Sequence, residues 1–239
     1  ANQVVFSASS DENRPVLNGV LVILKGSRLK LVATDGYRLS LKELEVEGDK
    51  NKEEVRFLVP SRALSEAGKI TQEKTGANKT EGVGIALLPE GNQAVFFWED
   101  IELTTRLIDG QFPEFEKIIP KEPTTTLIFD KNEMLRAVKS AAVFARDSSN
   151  IINLKITKAG IGVFANAAQV GENNISVAAE VKGEDNEIAF NSRFLLDYLN
   201  CATSERIIME SKGPLSPGVF YQEKDKSFLH LVMPVRVQT

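Results

Sequence analysis

Short runs in which apolar and polar residues alternate fill most of this chain, and turn-forming pairs separate them. Residues 29–46, "LKLVATDGYRLSLKELEV", are typical: apolar positions alternate up to Val32, the chain turns at Asp35-Gly36, and alternation resumes at Leu39 and Leu41. Similar turn signals stand at Lys25-Gly26, Glu90-Gly91, Ala159-Gly160 and Lys224-Asp225, so the pattern predicts antiparallel strands joined by tight connections. Three segments break it with apolar residues at helical spacing. One starts at Ser61, one runs from about Lys131 to Arg146, and one follows Asn191-Ser192. Ser61 and either Asn191 or Ser192 are the expected N-caps. In the second segment Leu135, Val138 and Ala142 are expected to pack on a sheet.

The segments recur about 130 residues apart. "FLVPSRALSEAGKI" (57–70) matches "IAFNSRFLLDYLN" (188–200), "VVFSASSDENRPVLNGVLVIL" (4–24) matches "AVFARDSSNIINLKI" (142–156), and "AVFFWEDIELTTRLI" (94–108) matches "GVFYQEKDKSFLHLVMPVRV" (218–237). The prediction is an α+β chain of two tandem copies, each of antiparallel sheets with two helices, spanning residues 1–120 and 121–239. The join carries Pro113, Pro120 and Pro123. Phe6 falls opposite Phe144 at the end of a helix, so the first copy is expected to be the later part of a longer domain. The polar stretch 71–82 reads as a loop, and 45–54 as a hairpin tip.

Composition narrows the classes. Of 239 residues, 42% are apolar and 26% charged, enough for a sizeable core. No apolar run is long enough to span a membrane. Cys201 is the one cysteine; no internal disulfide can form, which predicts a reducing compartment, and its apolar surroundings predict a buried thiol. Net charge is −4. Residues 1–120 hold 15 Lys+Arg against 19 Asp+Glu, and residues 121–239 hold 14 of each, so the positions of the bases matter more than their sum.

Catalytic groupings are sparse. His230, the one histidine, sits inside the strand "FLHLVM" and is expected to be half of a cross-strand pair. No Cys/His set has metal-ligand spacing, and "GVG" at 82–84 lacks the rest of a phosphate loop. Asp-Gly is a common hairpin turn, so Asp35 reads as a turn residue before a catalyst. An enzyme using Asp35, His230 and Arg38 is the alternative; a sequence-specific DNA-binding module is another, although no recognition helix is apparent. No cofactor or metal is called for.

The residue pattern therefore predicts a binding protein. Arg136, Lys139 and Arg146 share one face of the helix 131–146. Arg62 and Lys69 on the first copy's helix and Arg193 on the second's add positive charge, suited to phosphates but not to base edges. At the C-terminus Pro234 cannot donate to a ladder, so the last strand should stop there. Met233 and Val235 would then either line an adaptable surface for peptides or pack the last strand into the core.

"RPVLNGV" (14–20), "LVATDGYRLSL" (31–41), "RLIDGQFPEFEKIIP" (106–120), "FNSRFLLD" (190–197) and "VMPVR" (232–236) together resemble the bacterial DNA sliding clamps, the beta subunits of DNA polymerase III. The resemblance covers nearly the whole chain and matches the family's second domain, less its opening strand and most of its first helix, and its entire third domain. It implies a non-catalytic processivity factor, cytoplasmic and nucleoid-associated, that encircles duplex DNA as a head-to-tail dimer. A pocket between the second and third domains takes linear motifs rich in Gln, Leu and Phe from the polymerase III alpha subunit, the clamp loader delta subunit and repair proteins. By position its walls are Leu17, Thr34, Gly36, Tyr37, Arg38, Leu39, Pro113, Lys117 and Ile118, then Leu215, Pro217, Leu231, Met233, Pro234, Val235 and Arg236. Arg14, Arg62, Lys69, Arg136, Lys139, Arg146 and Arg193 become DNA-facing, and Val143 and Phe144 belong to the ring interface. Without a first domain the ring is expected not to close, leaving a monomer or weak oligomer. The chain departs from the family at Asn173, Asn174 and Ile175, where acids are usual, at Lys117, where some members have arginine, and in its terminal Val237, Gln238 and Thr239. An interaction module without DNA retention is the remaining alternative.

Overall fold

The chain divides into two units, Ala1–Pro113 and Glu114–Thr239, and the division falls inside the proline-bearing stretch. The structure, a computed structural model, describes residues 1–47, 53–74, 83–98, 101–167 and 171–236. In the first unit β1 (Gly19–Lys25), β2 (Arg28–Thr34), β3 (Arg38–Glu45) and β4 (Glu54–Pro60) form an antiparallel sheet in the order β3-β2-β1-β4. The pairing of Lys25 with Arg28 leaves a two-residue loop in which Gly26 has φ +58°; a side chain there would be strained, which is why the Lys-Gly signal marks the turn. Two helices, α1 (Asn2–Val5) and α2 (Ser61–Lys74), accompany a second antiparallel sheet of β5 (Gly84–Leu88), β6 (Gln93–Trp98) and β7 (Ile101–Arg106).

Alternation decides which residues share a face. Val20 and Val22 of β1, and Leu29, Leu31 and Ala33 of β2, point one way into a core completed by Val4 of α1, Leu64 and Ala67 of α2, and Ala94, Phe96 and Trp98 of β6.

The second unit repeats the plan more fully. It comprises β8 (Thr125–Asp130), α3 (Lys131–Ala145), β9 (Ile151–Thr157), β10 (Gly160–Ala167), β11 (Gly171–Val177), β12 (Ala179–Gly183), β13 (Asn186–Asn191), α4 (Ser192–Cys201), β14 (Arg206–Ser211), β15 (Gly218–Gln222) and β16 (Asp225–Val232). Within this unit the strands form antiparallel series β11-β10-β9-β13 and β12-β8-β14-β15-β16. β13 followed by α4 reproduces β4 followed by α2, and Phe6 caps α1 as Phe144 sits in the last turn of α3.

Local expectations needed adjustment. α3 buries Met134, Ala137, Val138, Ala141 and Ala145, while Leu135 and Ala142 are only half-buried; the core-facing stripe therefore runs along the other side of Val138. Ser61 is the first residue of α2, not the residue before it, whereas Asn191 caps α4 by accepting from the Arg193 amide at 3.0 Å. Helix α2 continues through residues 71–74, expected as loop; residues 75–82, with Gly82 of the "GVG" triplet, lie outside the described residues, as do the hairpin tip at 48–52 and Val237, Gln238 and Thr239. Cys201 is half-buried, and burial raises its thiol pKa.

Candidate functional site

The β2–β3 turn is held together almost entirely by its own side chains. Thr34 Oγ1 donates to the Arg38 carbonyl at 2.6 Å and accepts from the Gly36 amide at 3.1 Å. Asp35 Oδ1 accepts from the Tyr37 and Arg38 amides at 2.9 and 3.0 Å, and Asp35 Oδ2 takes Arg38 Nε at 3.0 Å. Gly36 has φ +94°, a backbone state that glycine adopts without strain. With Thr34 buried and Leu39 fully buried, the turn is rooted at both ends, and Tyr37 stands out from it with 63% exposure.

A second layer supports the turn from within the unit. Arg14 donates to the Asp35 carbonyl at 3.2 Å through Nη1 and to Asp11 Oδ2 at 3.1 Å through Nε. Asp11 also accepts the Asn13 backbone amide, the main reason its carboxyl sits below the usual range, with the Asn13 side chain and Arg14 adding to it. The Arg38 guanidinium lies 5.6 Å from the Phe6 ring centre, and Ser7 and Ser40 share a buried hydrogen bond of 2.8 Å. Phe6, Asp11 and Ser40 were not among the residues picked from the sequence. The Asp-x-Asn-Arg spacing at 11–14 was the one available signal, since an Asp accepting an amide two residues on is a local turn motif.

The remaining expected docking residues differ in what they present. In the first unit Leu17 is half-buried and Pro113 exposed. In the second, Lys117 is exposed and paired with Glu114, Ile118 is 43% exposed, Leu215 65% and Met233 37%. Pro217, Pro234 and Val235 are half-buried and Arg236 is exposed. β16 ends at Val232, ahead of Pro234, and the tail is fixed by the Val235 amide donating to the Ala189 carbonyl at 2.8 Å. Leu39 and Leu231, expected as wall residues, are completely buried; both lie in strand stretches whose neighbours are buried too, so they support the surface and do not form it.

The basic candidates all reach solvent. Arg62 on α2, Arg136 and Lys139 on α3, Arg146 just past its end and Arg193 on α4 are exposed. Lys69 is exposed too but bound to Glu66 at 2.8 Å, whose pKa it lowers, so it offers less charge to an outside anion. Arg14 is occupied with Asp11 and the turn, which makes it a brace and not a loose rim residue. Val143 is 63% exposed and Phe144 half-buried. Asn173 and Asn174 lie on β11, the outer strand of its series, and pair with Ala165 and Phe164 of β10; Asn173 also donates to Ser140 Oγ of α3 at 3.3 Å.

The enzyme reading fails on geometry. Both Asp35 oxygens are engaged inside the turn, in two amide bonds and an ion pair with Arg38, which suits a structural role and not a general base. His230 is 0% exposed, pairs across strands with Phe220 and lies flat on Tyr198 at 5.0 Å. A base sealed among aromatic rings reaches no substrate.

Comparison with known proteins follows the same two-unit division. The family model for the DNA polymerase III beta subunit, central domain, matches residues 1–114, and that for its C-terminal domain matches residues 116–236. The beta sliding clamp of Synechococcus elongatus is 32% identical over 237 residues, covering 98% of this chain and 62% of that protein; that of Streptococcus pneumoniae is 30% identical over 239 residues, covering 98% and 61%. The chain thus spans about three fifths of the length of the curated relatives it matches. Among solved structures, the DNA polymerase III beta chain from Streptococcus pneumoniae is similar at TM-score 0.89 and 31% identity, covering 99% of this chain and 61% of that one. The beta subunit from Thermotoga maritima is similar at TM-score 0.89 and 28% identity, covering 99% and 62%.

Proposed function

This chain belongs to the DNA polymerase III beta subunit family, the beta sliding clamps, and on that premise we propose that it works as part of a replication processivity factor. It is a non-catalytic accessory subunit that keeps polymerase on duplex DNA and serves as a landing site for proteins carrying short linear motifs. The observation that carries the reading is the ordered match of both units to the family's central and C-terminal domains.

The residues fit this role in chemical terms. Exposed Arg62, Arg136, Lys139, Arg146 and Arg193 face phosphates and release counterions without reading sequence. Each unit offers exposed anchors of its own for motif peptides: Tyr37 and its turn in the first, and Ile118, Leu215, Met233 and Arg236 in the second. The partners on this reading are duplex DNA, the polymerase III alpha subunit, the clamp loader delta subunit, and a second copy of the full-length protein engaged through Val143 and Phe144. The site of action is the cytoplasm, at the nucleoid. Holding a partner near DNA raises its effective concentration there, which is how a protein without a reaction of its own accelerates synthesis.

The test is fluorescence anisotropy of a fluorescein-labelled Gln-Leu-Ala-Leu-Phe peptide titrated with the chain. Saturable binding is expected, weakened about tenfold by Tyr37→Ala and similarly by Met233→Ala, since exposed anchors of this size contribute on the order of 1–2 kcal/mol. Both positions are exposed, so neither change should disturb folding. Binding that ignores both substitutions would remove the docking assignment.

A further inference from the structure

The arrangement behind Tyr37 has a consequence for how a partner is held. Tyr37 is 63% exposed, and its turn is tied down chiefly by the side chains of Thr34 and Asp35. The Asp35 carboxylate does two jobs. Through Oδ1 it fixes two successive amides, and through Oδ2 it ties the turn to Arg38. This ion pair is sheltered, with side chains only 12% and 15% exposed, so it is less weakened by solvent than a surface pair. Arg38 is in turn stacked near Phe6, and Arg14 closes the other side on the Asp35 carbonyl.

We infer that Asp35, braced by Arg38 and Arg14, is a positioning residue for peptide docking: it fixes the Tyr37 backbone in advance. This rests on the docking role proposed above for Tyr37. A turn fixed before binding spares the partner the ordering cost of the loop, so affinity depends on residues that the peptide never meets. Asp35→Asn keeps an oxygen for the two amides but loses the charge opposite Arg38, whereas Asp35→Ala loses both. The two substitutions therefore separate the turn's own hydrogen bonds from the ion pair.

The experiment uses the chain as it is, with Asp35→Asn, Asp35→Ala, Tyr37→Ala and the Asp35→Ala/Tyr37→Ala double variant, read in two ways. Amide hydrogen exchange measured by NMR should show Tyr37 and Arg38 exchanging at least about tenfold faster in Asp35→Ala, less so in Asp35→Asn, with the amides of β1 unchanged. In the peptide titration Asp35→Ala should weaken binding about tenfold, yet by less than about twofold when Tyr37 is already alanine, because the two residues act through one contact. Unchanged exchange at Tyr37 and Arg38 overturns the inference. So does a loss of affinity that is equally large in the Tyr37→Ala background, since that would mark general destabilisation. If the unaltered chain binds no peptide, the docking role of Tyr37 falls and Asp35 is left without a peptide to position, while the exchange data still decide whether Asp35 fixes the turn.

Discussion

Thr34 illustrates how much one hydroxyl can hold. It is buried, donates to the Arg38 carbonyl and accepts from the Gly36 amide, so Thr34→Val replaces it with a side chain of the same shape and leaves both backbone groups without their partner. The expected loss is about 1–3 kcal/mol of stability in the first unit, measurable by urea denaturation; a loss below about 0.3 kcal/mol would mean that the turn does not need the hydroxyl. Tyr198 makes the opposite case. It is fully buried, its hydroxyl finds no hydrogen-bond partner among the described residues, and burial, reinforced by Cys201 and Asp225, pushes the phenol far above its ordinary 10.0. The folded state thus disfavours the phenolate while the unfolded chain accepts it. Stability should be insensitive to this group below about pH 10 and fall as pH rises beyond it, by up to about 1.4 kcal/mol per pH unit. Tyr198→Phe should leave the neutral-pH melting temperature nearly unchanged and flatten that alkaline decline; thermal melts from about pH 8 to about pH 11 decide. An equally steep decline in the phenylalanine variant would assign it to other groups.

At the level of elements, the helices were legible from apolar spacing, and of the caps read from the sequence Asn191 holds while Ser61 lies inside α2. Asp130 precedes α3 and accepts from the Glu133 amide at 2.8 Å, and Asn191 does the same for the Arg193 amide ahead of α4. Asp130→Ala and Asn191→Ala should each cost about 1 kcal/mol by denaturant unfolding of the second unit, the usual worth of a side-chain cap; a change of Tm within error for both would deny the caps their role. The face of α3 was less legible. With alanine at 137, 141, 142 and 145, hydropathy alone separates the two sides of Val138 poorly: Leu135 makes its side the more apolar, whereas close packing favours Met134 and the small residues. Strand ends were readable at Pro234, which lacks a donor, and at Asp35-Gly36. The docking strip was readable only in part. Leu39 and Leu231 match by position, but both lie in strand stretches buried on both faces, and the brace at Phe6 depends on a contact with Arg38 of β3 that no local pattern encodes.

For the molecule as a whole, the proposed DNA role requires a chain of net charge −4 to attract a polyanion. The mean field repels DNA, so attraction has to come from local faces where bases stand without acids. The exposed Arg136 and Lys139 of α3 are such a case; neither takes part in any ion pair identified among the described residues, with Arg146 following on the same side. Lys25 and Lys30 are equally basic but lie against Glu54 at 3.9 Å and Glu43 at 2.8 Å, so their charge is already answered. This contrast separates local from global electrostatics in one experiment. Arg136→Gln/Lys139→Gln and Lys25→Gln/Lys30→Gln each remove two positive charges, taking the net charge from −4 to −6. Binding of a labelled random-sequence duplex is followed by anisotropy across a salt series. If the helix face meets phosphates, the first pair should lower the slope of log affinity against log salt by about two, close to one unit per lost phosphate contact, while the second pair leaves it unchanged. Equal effects would mean that DNA senses only the overall charge, and the helices would lose their assigned role. A reduced slope confined to the α3 variant would locate the DNA-facing surface on the helices of a protein whose bulk charge argues against binding DNA at all.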